Sequence, residues 1–346
     1  MRNRYGYVSW ITQRLLATAV VAFVWLLPLV ADGDQLPDKP RYVFQSIGEG
    51  TQLATRGVTS MLQDKLGFVW IGTQDGLFRC DGAEVTRFGS EQGLPHTWIT
   101  QIVEGPDDTL WVSAGGQVAR FDGLGFEPFE PLGETSDKGW DQDTRQHIAI
   151  TSSNKLFAAT KAGLVSFDLS KESESKTWTA LDGLPAARIM AVHADVRDRV
   201  WFAAGGKVGT LEPSSGEITL TELPEAARAE TVVAVLTDAS GVVWVRTRSH
   251  LITRQPDAKS FELVDVDLAD SLNIGAPTLD RSGNPLVPSV GGLFFKEGDR
   301  WKSVSAANGL RASAVTHAIE DREGALWVGL FGPGVQRWAG RRSWAA

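Results

Sequence analysis

A repeat of 41 to 46 residues constrains the fold of this chain more than any other feature. Its frame is Asp-x-x-Gly-x-x-Trp followed by Gly-Leu, and it is complete at Asp64, Gly67, Trp70, Gly76 and Leu77. A regular period of this length indicates a repeat architecture, in which each copy forms one supersecondary unit. The aromatic position of the frame recurs seven times, at Trp70, Trp111, Phe157, Trp201, Trp244, Leu286 and Trp327.

The pattern of each copy predicts four short strands, which are separated by Gly, Asp and Pro residues typical of turns. In the first copy these strands are predicted over 58–62, 68–73, 77–80 and 85–88. Seven four-stranded units predict an all-β chain, a seven-bladed β-propeller of four-stranded antiparallel blades. The large flat side chain at the aromatic position is predicted to fill the gap between adjacent blades.

A ring needs one blade that both chain ends complete. Residues 41–53 precede the first repeat and are predicted as the ring-closing segment. Within it, 41–47 is expected to form the outer strand of the seventh blade, beside or in place of the segment around Trp344. The predicted propeller spans 41–346.

The amino terminus has the three-part layout of a secretory signal peptide. Three arginines precede an apolar run over 15–30, and polar residues follow Ala31. We expect a signal peptide over 1–31, a linker over 32–40, and a periplasmic or secreted protein. The alternatives are a retained membrane anchor, which is short of the roughly 20 apolar residues that span a bilayer, and a cytosolic protein.

Charge and cysteine content exclude several classes of protein. The net charge is −8, and it falls to −11 without the first 31 residues, which hold three arginines and no acid. General nucleic-acid binding usually needs the opposite sign, so no nucleic-acid partner is expected. Cys80 is the single cysteine, which rules out an intramolecular disulfide or a multi-thiolate metal site, and we expect it to be buried.

The residues over 63–77 and 320–329 carry a family resemblance. Both resemble the two-component regulator propeller repeat, and the segments at 92–95, 182–185 and 308–310 resemble the linker of that family. The resemblance implies an extracytoplasmic sensor region of a bacterial histidine kinase or diguanylate cyclase, often one that detects carbohydrate-derived ligands. The sandwich, membrane helix and output domain usual in the family are not found before Ala346, so we expect either a stand-alone receptor acting through a partner or a truncated frame.

No catalytic or cofactor motif is found. A nucleophile elbow, a paired-His zinc helix, a phosphate loop and a Cys-x-x-Cys are all missing. We therefore predict no catalytic residue, no metal and no cofactor. Asp265, Asp267 and Asp270 fit a solvated loop better than a calcium loop, because the glycine and terminal glutamate are lacking. His147 and His317 both stand ten residues before an aromatic position and are expected to be neutral, buried or channel-lining.

One face of the predicted propeller is the candidate ligand site. The turns between second and third strands share this face with the connections into the next blade. Converging cations could bind an acidic ligand there, with scattered solvated charge as the alternative. The predicted binding residues are Arg188, Arg246, Arg311, His96, Trp98 and Lys207.

The sequence thus predicts a non-enzymatic, exported propeller that senses a ligand or binds a protein. The expected partners are a carbohydrate-derived or acidic small molecule and a membrane-bound signalling protein, with contact to the membrane only through an uncleaved amino-terminal segment. The alternatives are a propeller enzyme of the lyase or lactonase kind and a structural scaffold without a small ligand.

Overall fold

The structure is a computed structural model that describes residues 42–129, 146–160, 163–171, 175–269 and 275–340. The predicted signal peptide and linker, Arg41, Asp270 and Trp344 lie outside these residues. The first described strand is β1 (Gln45–Ile47). The remaining strands follow in blade order.

Blade 1 contains β2 (Val58–Gln63), β3 (Val69–Thr73), β4 (Gly76–Cys80) and β5 (Val85–Phe88); blade 2 contains β6 (Ile99–Glu104), β7 (Leu110–Ala114), β8 (Gln117–Phe121) and β9 (Phe126–Pro128); blade 3 contains β10 (Ile148–Ile150), β11 (Lys155–Thr160), β12 (Gly163–Asp168) and β13 (Ser175–Trp178). Blade 4 contains β14 (Ile189–Ala194), β15 (Val200–Ala204), β16 (Lys207–Leu211) and β17 (Ile218–Glu222); blade 5 contains β18 (Val232–Thr237), β19 (Val243–Thr247), β20 (Leu251–Arg254) and β21 (Glu262–Leu263). Blade 6 contains β22 (Thr278–Leu279), β23 (Pro285–Ser289), β24 (Gly292–Glu297) and β25 (Arg300–Val304); blade 7 contains β26 (Val315–Glu320), β27 (Leu326–Leu330) and β28 (Val335–Trp338), and it is completed by β1.

Every blade is a four-stranded antiparallel sheet, so the predicted seven-bladed propeller is confirmed. The described helical structure is limited to single turns, namely the α-helix α1 (Glu225–Arg228) and the 3-10 turns Gln52–Thr55, Ser90–Gln92, Ala180–Asp182 and Ala306–Asn308.

Blade 7 is completed by the first described strand. Ser46 pairs with Gln336 and Ile47 with Val335, so β1 lies antiparallel to β28 at the outer edge. The rings of Tyr42 and Trp338 pack 4.6 Å apart, centroid to centroid, and add an aromatic contact beside this pairing. The paired strand begins at Gln45, four residues after the predicted start.

The second strand of each blade is buried on both faces and carries the aromatic position of the repeat. Trp70 and Trp201 are both 1% exposed. Trp70 packs with Ile99 and Val112 of blade 2, whereas Trp201 packs with Val232 of blade 5. The repeat therefore places one large side chain between each of these blades and the next.

A carboxylate holds the indole in three of the blades. Trp70 Nε1 donates to Asp64 Oδ2 at 2.7 Å, Trp201 Nε1 to Asp195 Oδ2 at 3.0 Å, and Trp327 Nε1 to Asp321 Oδ2 at 2.8 Å. The other oxygen of each carboxylate accepts a backbone N–H of the same turn, at Phe68, Arg199 and Ala325. The aspartate of the repeat thus joins the turn to the interface between blades.

The small residue two positions after the Trp is explained by close packing. A Cβ at Gly72 would lie 2.7 Å from Ile99 Cγ2 of blade 2, and one at Gly329 would lie 2.6 Å from Val58 Cγ1 of blade 1. Real Cβ atoms do not approach neighbours that closely, so the inner strand of the next blade requires glycine at these two positions.

Candidate functional site

The turn face is the side of the ring that carries the turns between second and third strands and the connections into the next blade. Backbone hydrogen bonds join the two kinds of segment, from Gly76 N to Thr97 O at 2.7 Å and from Gly115 N to Trp98 O at 3.0 Å. Leu223 N likewise bonds Gly206 O at 3.0 Å in blade 4. The predicted grouping of these segments on one face is therefore what the chain forms.

Two of the predicted arginines are exposed on the turn face. Arg188 lies in the connection from blade 3 to blade 4 and lines a groove of about 380 Å³ together with Leu184 and Pro185. Partial burial lowers the pKa of Arg188 without removing its charge. Arg311 lies in the connection into blade 7, where Nη1 donates to Ser46 Oγ at 3.0 Å on β1.

Arg246 is not on the accessible surface, and its predicted place at the channel mouth is wrong. It is 0% exposed on β19, and its Nη1 donates to His250 O at 3.1 Å. The physical reason is strand parity. Arg246 stands two residues after Trp244, so its side chain points between blades, as the positions of Gly72 and Gly329 do.

The other predicted binding residues have local partners. His96 is exposed, and its Nδ1 accepts a hydrogen bond from Trp98 N at 2.9 Å. Trp98 is half-buried, and no described residue accepts from its Nε1. Lys207 Nζ lies 2.9 Å from Glu222 Oε1, and the same carboxylate lies 3.5 Å from Arg228 Nε.

Ion pairs also form elsewhere on the turn face. Asp75 lies 2.7 Å from Arg56 and 3.7 Å from Arg87, and Glu49 lies 3.7 Å from Arg311. Such exposed pairs contribute little stability, but they neutralise much of the local charge. The sequence left two possibilities for this face, a cluster of converging cations or charge scattered over the surface. Because these cations are paired with carboxylates, the structure favours scattered charge.

A polar cluster at blade 5 was missed by sequence reasoning. Glu230, in the connection after α1, accepts hydrogen bonds from Thr247 Oγ1 at 2.6 Å and Ser249 N at 3.0 Å, and it lies 2.8 Å from His250 Nδ1. Burial acts to raise the pKa of Glu230, but the hydrogen bonds from Ser249 and Thr247 outweigh it and lower the pKa to about 2. No motif joins these residues, since Glu230 stands some twenty positions before the others.

The Ser249–His250–Glu230 cluster does not have the geometry of a nucleophile relay. In a relay the serine hydroxyl and the carboxylate contact opposite ring nitrogens of the histidine. Here Ser249 Oγ lies 3.2 Å from Nδ1, the same nitrogen that faces Glu230. The arrangement holds the imidazole in place, and no described residue forms a hydrogen bond with its Nε2.

The central channel holds a cavity of about 360 Å³. Inner strands bond around it from blade to blade, and their polar side chains reach the backbone of the next blade. Thr59 Oγ1 donates to Ile99 O at 2.6 Å, Gln101 Oε1 accepts from Ile148 N at 3.0 Å, and Thr278 Oγ1 donates to Ala318 O at 2.6 Å. We call these hydrogen bonds of Thr59, Gln101 and Thr278 the channel belt. They pair backbone groups of the inner strands that the four strands of a single blade leave without partners.

His147 and His317 are buried beside the channel, 2% and 6% exposed. His317 lines the cavity on β26, whereas His147 precedes β10 and donates its backbone N–H to Gln101 Oε1 at 2.7 Å. A third histidine, His193 on β14, also lines the cavity. Burial lowers the pKa of His193 and of His317 to about 4, so both rings are neutral near pH 7.

Neither a metal site nor a membrane span is found among the described residues. No group of three or more His, Cys, Asp or Glu side chains there could hold a metal ion. Asp265 and Asp267 are both exposed in the segment after β21. Cys80 is buried, as expected, and burial raises the pKa of its thiol. No helix in the described ranges has the length and apolar character needed to cross a bilayer.

Comparison with known protein families identifies the first copy of the repeat. Residues 52–75, which contain the complete first copy, match the family model of the two component regulator propeller. The chain carries a two-component regulator propeller repeat. No curated protein matches the chain.

Solved structures of three kinds share the fold. The extracellular domain of BT4673 from B. thetaiotaomicron, assigned to the hybrid two-component systems, is 20% identical with a TM-score of 0.68, covering 86% of this chain and 40% of that one. A catalytically inactive variant of virginiamycin B lyase from Staphylococcus aureus with quinupristin is 10% identical with a TM-score of 0.66, covering 85% and 97%. PorZ, a surface component of the type-IX secretion system of Porphyromonas gingivalis, is 13% identical with a TM-score of 0.61, covering 86% and 38%.

These similarities establish the propeller fold, which occurs in the extracellular domain of a two-component system, in a lyase and in a surface component of a secretion system. The chain spans about two fifths of the length of the BT4673 domain. The choice among the three functions therefore rests on the residues of this chain.

Proposed function

We propose that this propeller is the receiving module of a bacterial signalling system outside the cytoplasm and that it binds its ligand or partner without chemical change. The observation that carries the proposal is the two-component regulator propeller repeat at residues 52–75. The extracellular domain of BT4673, which is assigned to a hybrid two-component system and has the same fold, supports it. Export would follow from the signal-like segment over 1–31.

The turn face is the proposed docking surface for an acidic small ligand or an acidic segment of a signalling protein. Arg188 gives the groove between blades 3 and 4 a cationic wall beside apolar Leu184 and Pro185. A guanidinium can bind a carboxylate through two parallel hydrogen bonds, which suits an acidic sugar or an acidic side chain. Arg311, on the same face, is a second proposed contact.

Calorimetry with uronic-acid oligosaccharides tests the ligand part of the proposal. The variants are Arg188→Ala and, as a matched control, Arg197→Ala, which removes an exposed arginine from the turn between β14 and β15 on the opposite face. We expect Arg188→Ala to weaken binding about tenfold or more, since hydrogen bonds to charged groups contribute about 1.5–3 kcal/mol, and Arg197→Ala to leave it unchanged. Equal binding by all three proteins would exclude Arg188 from the site.

Export is tested separately with alkaline phosphatase fused after residue 40. Phosphatase activity in intact bacteria is expected because that enzyme folds only outside the reducing cytoplasm. An inactive fusion, with the protein retained in the cytosol, would contradict the extracytoplasmic assignment whatever the ligand results.

An enzyme is the second candidate, and His250 is the observation that favours it. Glu230 holds Nδ1 of this ring, and its Nε2 is left available as a proton acceptor on the turn face. Mass spectrometry of the same oligosaccharides after incubation with the wild type and with His250→Gln decides between the candidates. A product formed by the wild type alone would replace sensing by catalysis.

A further inference from the structure

Two arginines meet between blades 4 and 5, on the side of the ring opposite the turn face. Arg199 directly precedes β15, and Arg254 is the last residue of β20, which runs away from the turn face. Their guanidinium carbons lie 5.5 Å and 5.0 Å from the ring centroid of Trp201. Burial lowers the pKa of Arg254, and the charge of Arg199 lowers it further. An anion bound to this arginine pair would offset the repulsion between the two charges.

The arginine at the end of β20 departs from the repeat. In blade 2 the last residue of the third strand, Phe121, packs on Trp70 with ring centroids 5.0 Å apart. Packing between blades is therefore served by an apolar side chain at this position, and the charge of Arg254 points to a purpose other than packing. The last residue of the third strand is apolar in blades 1, 2, 4 and 7, where it is Cys80, Phe121, Leu211 and Trp338.

Arg254 has no carboxylate partner among the described residues. Its Nη1 donates to Thr221 Oγ1 at 3.3 Å, and its other contacts are with two aromatic rings. The carboxylate of Asp195 pairs with Arg199 Nε at 2.9 Å, and its two oxygens already accept four hydrogen bonds. Arg254 is thus a half-buried cation that the described part of the chain does not neutralise.

Three guanidinium nitrogens of the arginine pair are accessible to a ligand. Nη2 of Arg254 and both Nη atoms of Arg199 are neither buried nor hydrogen-bonded to a described residue. The side chain of Arg199 is 34% exposed. Cross-strand pairing places Thr210 and Thr219 on the same face of blade 4 as Trp201, and their Oγ1 atoms lie 2.5 Å apart. Guanidinium N–H groups and hydroxyls are donors suited to the oxygens of a phosphate group.

We propose that the arginine pair binds a phosphate monoester group, with the hydroxyls of Thr210 and Thr219 at its border. A phosphate monoester carries about two negative charges at pH 8, so it matches the two guanidinium charges. Its oxygens can accept the accessible N–H groups in parallel pairs, the geometry in which arginine binds phosphate most specifically. The site shares no residue with the turn face and does not depend on the function proposed above.

The corresponding place between blades 1 and 2 supplies a matched control. There Arg79 lies 5.6 Å from the ring centroid of Trp70, but Phe121 stands where blade 5 has Arg254. A single guanidinium offers half the charge and no second group to hold the phosphate. The comparison therefore separates a phosphate site from the ordinary stacking of arginine on tryptophan.

Calorimetry at pH 8 with glucose 6-phosphate tests the site, with glucose 6-sulfate as a match of lower charge and glucose as a neutral match. We expect glucose 6-phosphate to bind the wild type, glucose 6-sulfate to bind at least tenfold more weakly, and glucose not to bind. Arg254→Leu should weaken glucose 6-phosphate at least tenfold, because it removes a charge-assisted contact. Arg79→Leu, which removes the same charge, and Arg188→Ala should bind as the wild type does.

Stability measurements separate binding from packing. Arg254→Leu should fold and should melt no lower than the wild type, because leucine occupies this position in blade 4 as Leu211. Glucose 6-phosphate should raise the melting temperature of the wild type by mass action but not that of Arg254→Leu. Arg254→Gln, with the same expected loss of binding, covers the case in which the leucine variant does not fold.

Four results would overturn the proposal. These are a wild type that does not bind glucose 6-phosphate, a sulfate ester that binds as tightly, unchanged binding by Arg254→Leu or Arg254→Gln, and an equal loss in Arg79→Leu. A lower melting temperature of Arg254→Leu with unchanged binding would assign Arg254 to packing alone. Loss of phosphate binding in Arg188→Ala would place the phosphate on the turn face, so this proposal and the proposed function fail separately.

Discussion

Substitution of Asp195 by alanine is the sharpest test of how the repeat holds its blades together. The side chain of Asp195 is 4% exposed and accepts four hydrogen bonds, from Arg197 N at 2.9 Å, Arg199 N at 3.0 Å, Arg199 Nε at 2.9 Å and Trp201 Nε1 at 3.0 Å. Burial acts to raise its pKa, but these bonds, the one from Trp201 first among them, lower it. The carboxylate is therefore ionised at neutral pH.

The magnitude follows from what each donor loses. Trp201 is 1% exposed, so its indole N–H would be left buried without an acceptor, which costs about 1–3 kcal/mol. The donors on Arg197 and Arg199 lie near solvent and can bond water instead, so each loses about 0.5 kcal/mol. We expect Asp195→Ala to lower the free energy of unfolding by about 3 kcal/mol.

Urea denaturation followed by tryptophan fluorescence measures this change. Asp107→Ala is the matched control, because Asp107 caps the corresponding turn of blade 2 through Thr109 N at 3.2 Å while Trp111 Nε1 has no acceptor among the described residues. The control should lose less than about 0.5 kcal/mol, as exposed surface substitutions do. A loss below about 1 kcal/mol for Asp195→Ala would refute the reasoning.

Three further predictions follow from the same contacts. Gly105→Asp combined with Asp107→Ala should raise the free energy of unfolding by about 1 kcal/mol relative to Asp107→Ala alone, because a Cβ at Gly105 would lie 3.5 Å from Trp111 Nε1 and a carboxylate there supplies the missing acceptor. The second substitution is needed because the same Cβ would lie 2.9 Å from Asp107 Oδ1. An unchanged urea midpoint would contradict the prediction. His193 and His317 should make stability depend on pH, because each is protonated near pH 6.5 in the unfolded chain and only near pH 4 in the folded chain. Each should therefore lower the free energy of unfolding by about 3 kcal/mol as the pH falls from 6.5 towards 4. A pH series with His317→Gln should show about half of the combined fall, and an identical profile would exclude this histidine as a cause. Deleting residues 42–47 should expose the edge of β28 and cause aggregation or a broad melting transition, which light scattering and calorimetry detect; a monomeric, sharply melting variant would show that blade 7 does not need β1.

Much of the fold was open to sequence reasoning because it repeats. The spacing from Trp70 to Trp327 predicted seven blades, and the structure has seven, including copies in which Phe157 and Leu286 replace the Trp. The prediction succeeded because the residues that form the turns and the alternation of side chains along each strand depend only on the sequence of a single copy.

The candidate site was predicted less well. Arg188 and Arg311 lie on the turn face as expected, whereas Arg246 is buried because strand parity directs its side chain between blades. That error could have been avoided, since Arg246 has the same parity as Trp244. Glu230 and His250 could not have been paired from sequence, because a connection and a turn that are distant along the chain meet only after the blade has formed.

The sequence by itself determined the number of blades, the position of the large residue in each and the turns between strands, because these depend on residues within one repeat. Only the tertiary structure decided the partners that cross from blade to blade. His193 and His317 are ordinary histidines in the sequence, whereas in the closed ring burial lowers the pKa of both to about 4, and Thr237 of the next blade donates its backbone N–H to His193 Nε2. The protonation states and hydrogen bonds of the side chains that line the channel are properties of the closed ring, because burial and the backbone of the next blade determine them.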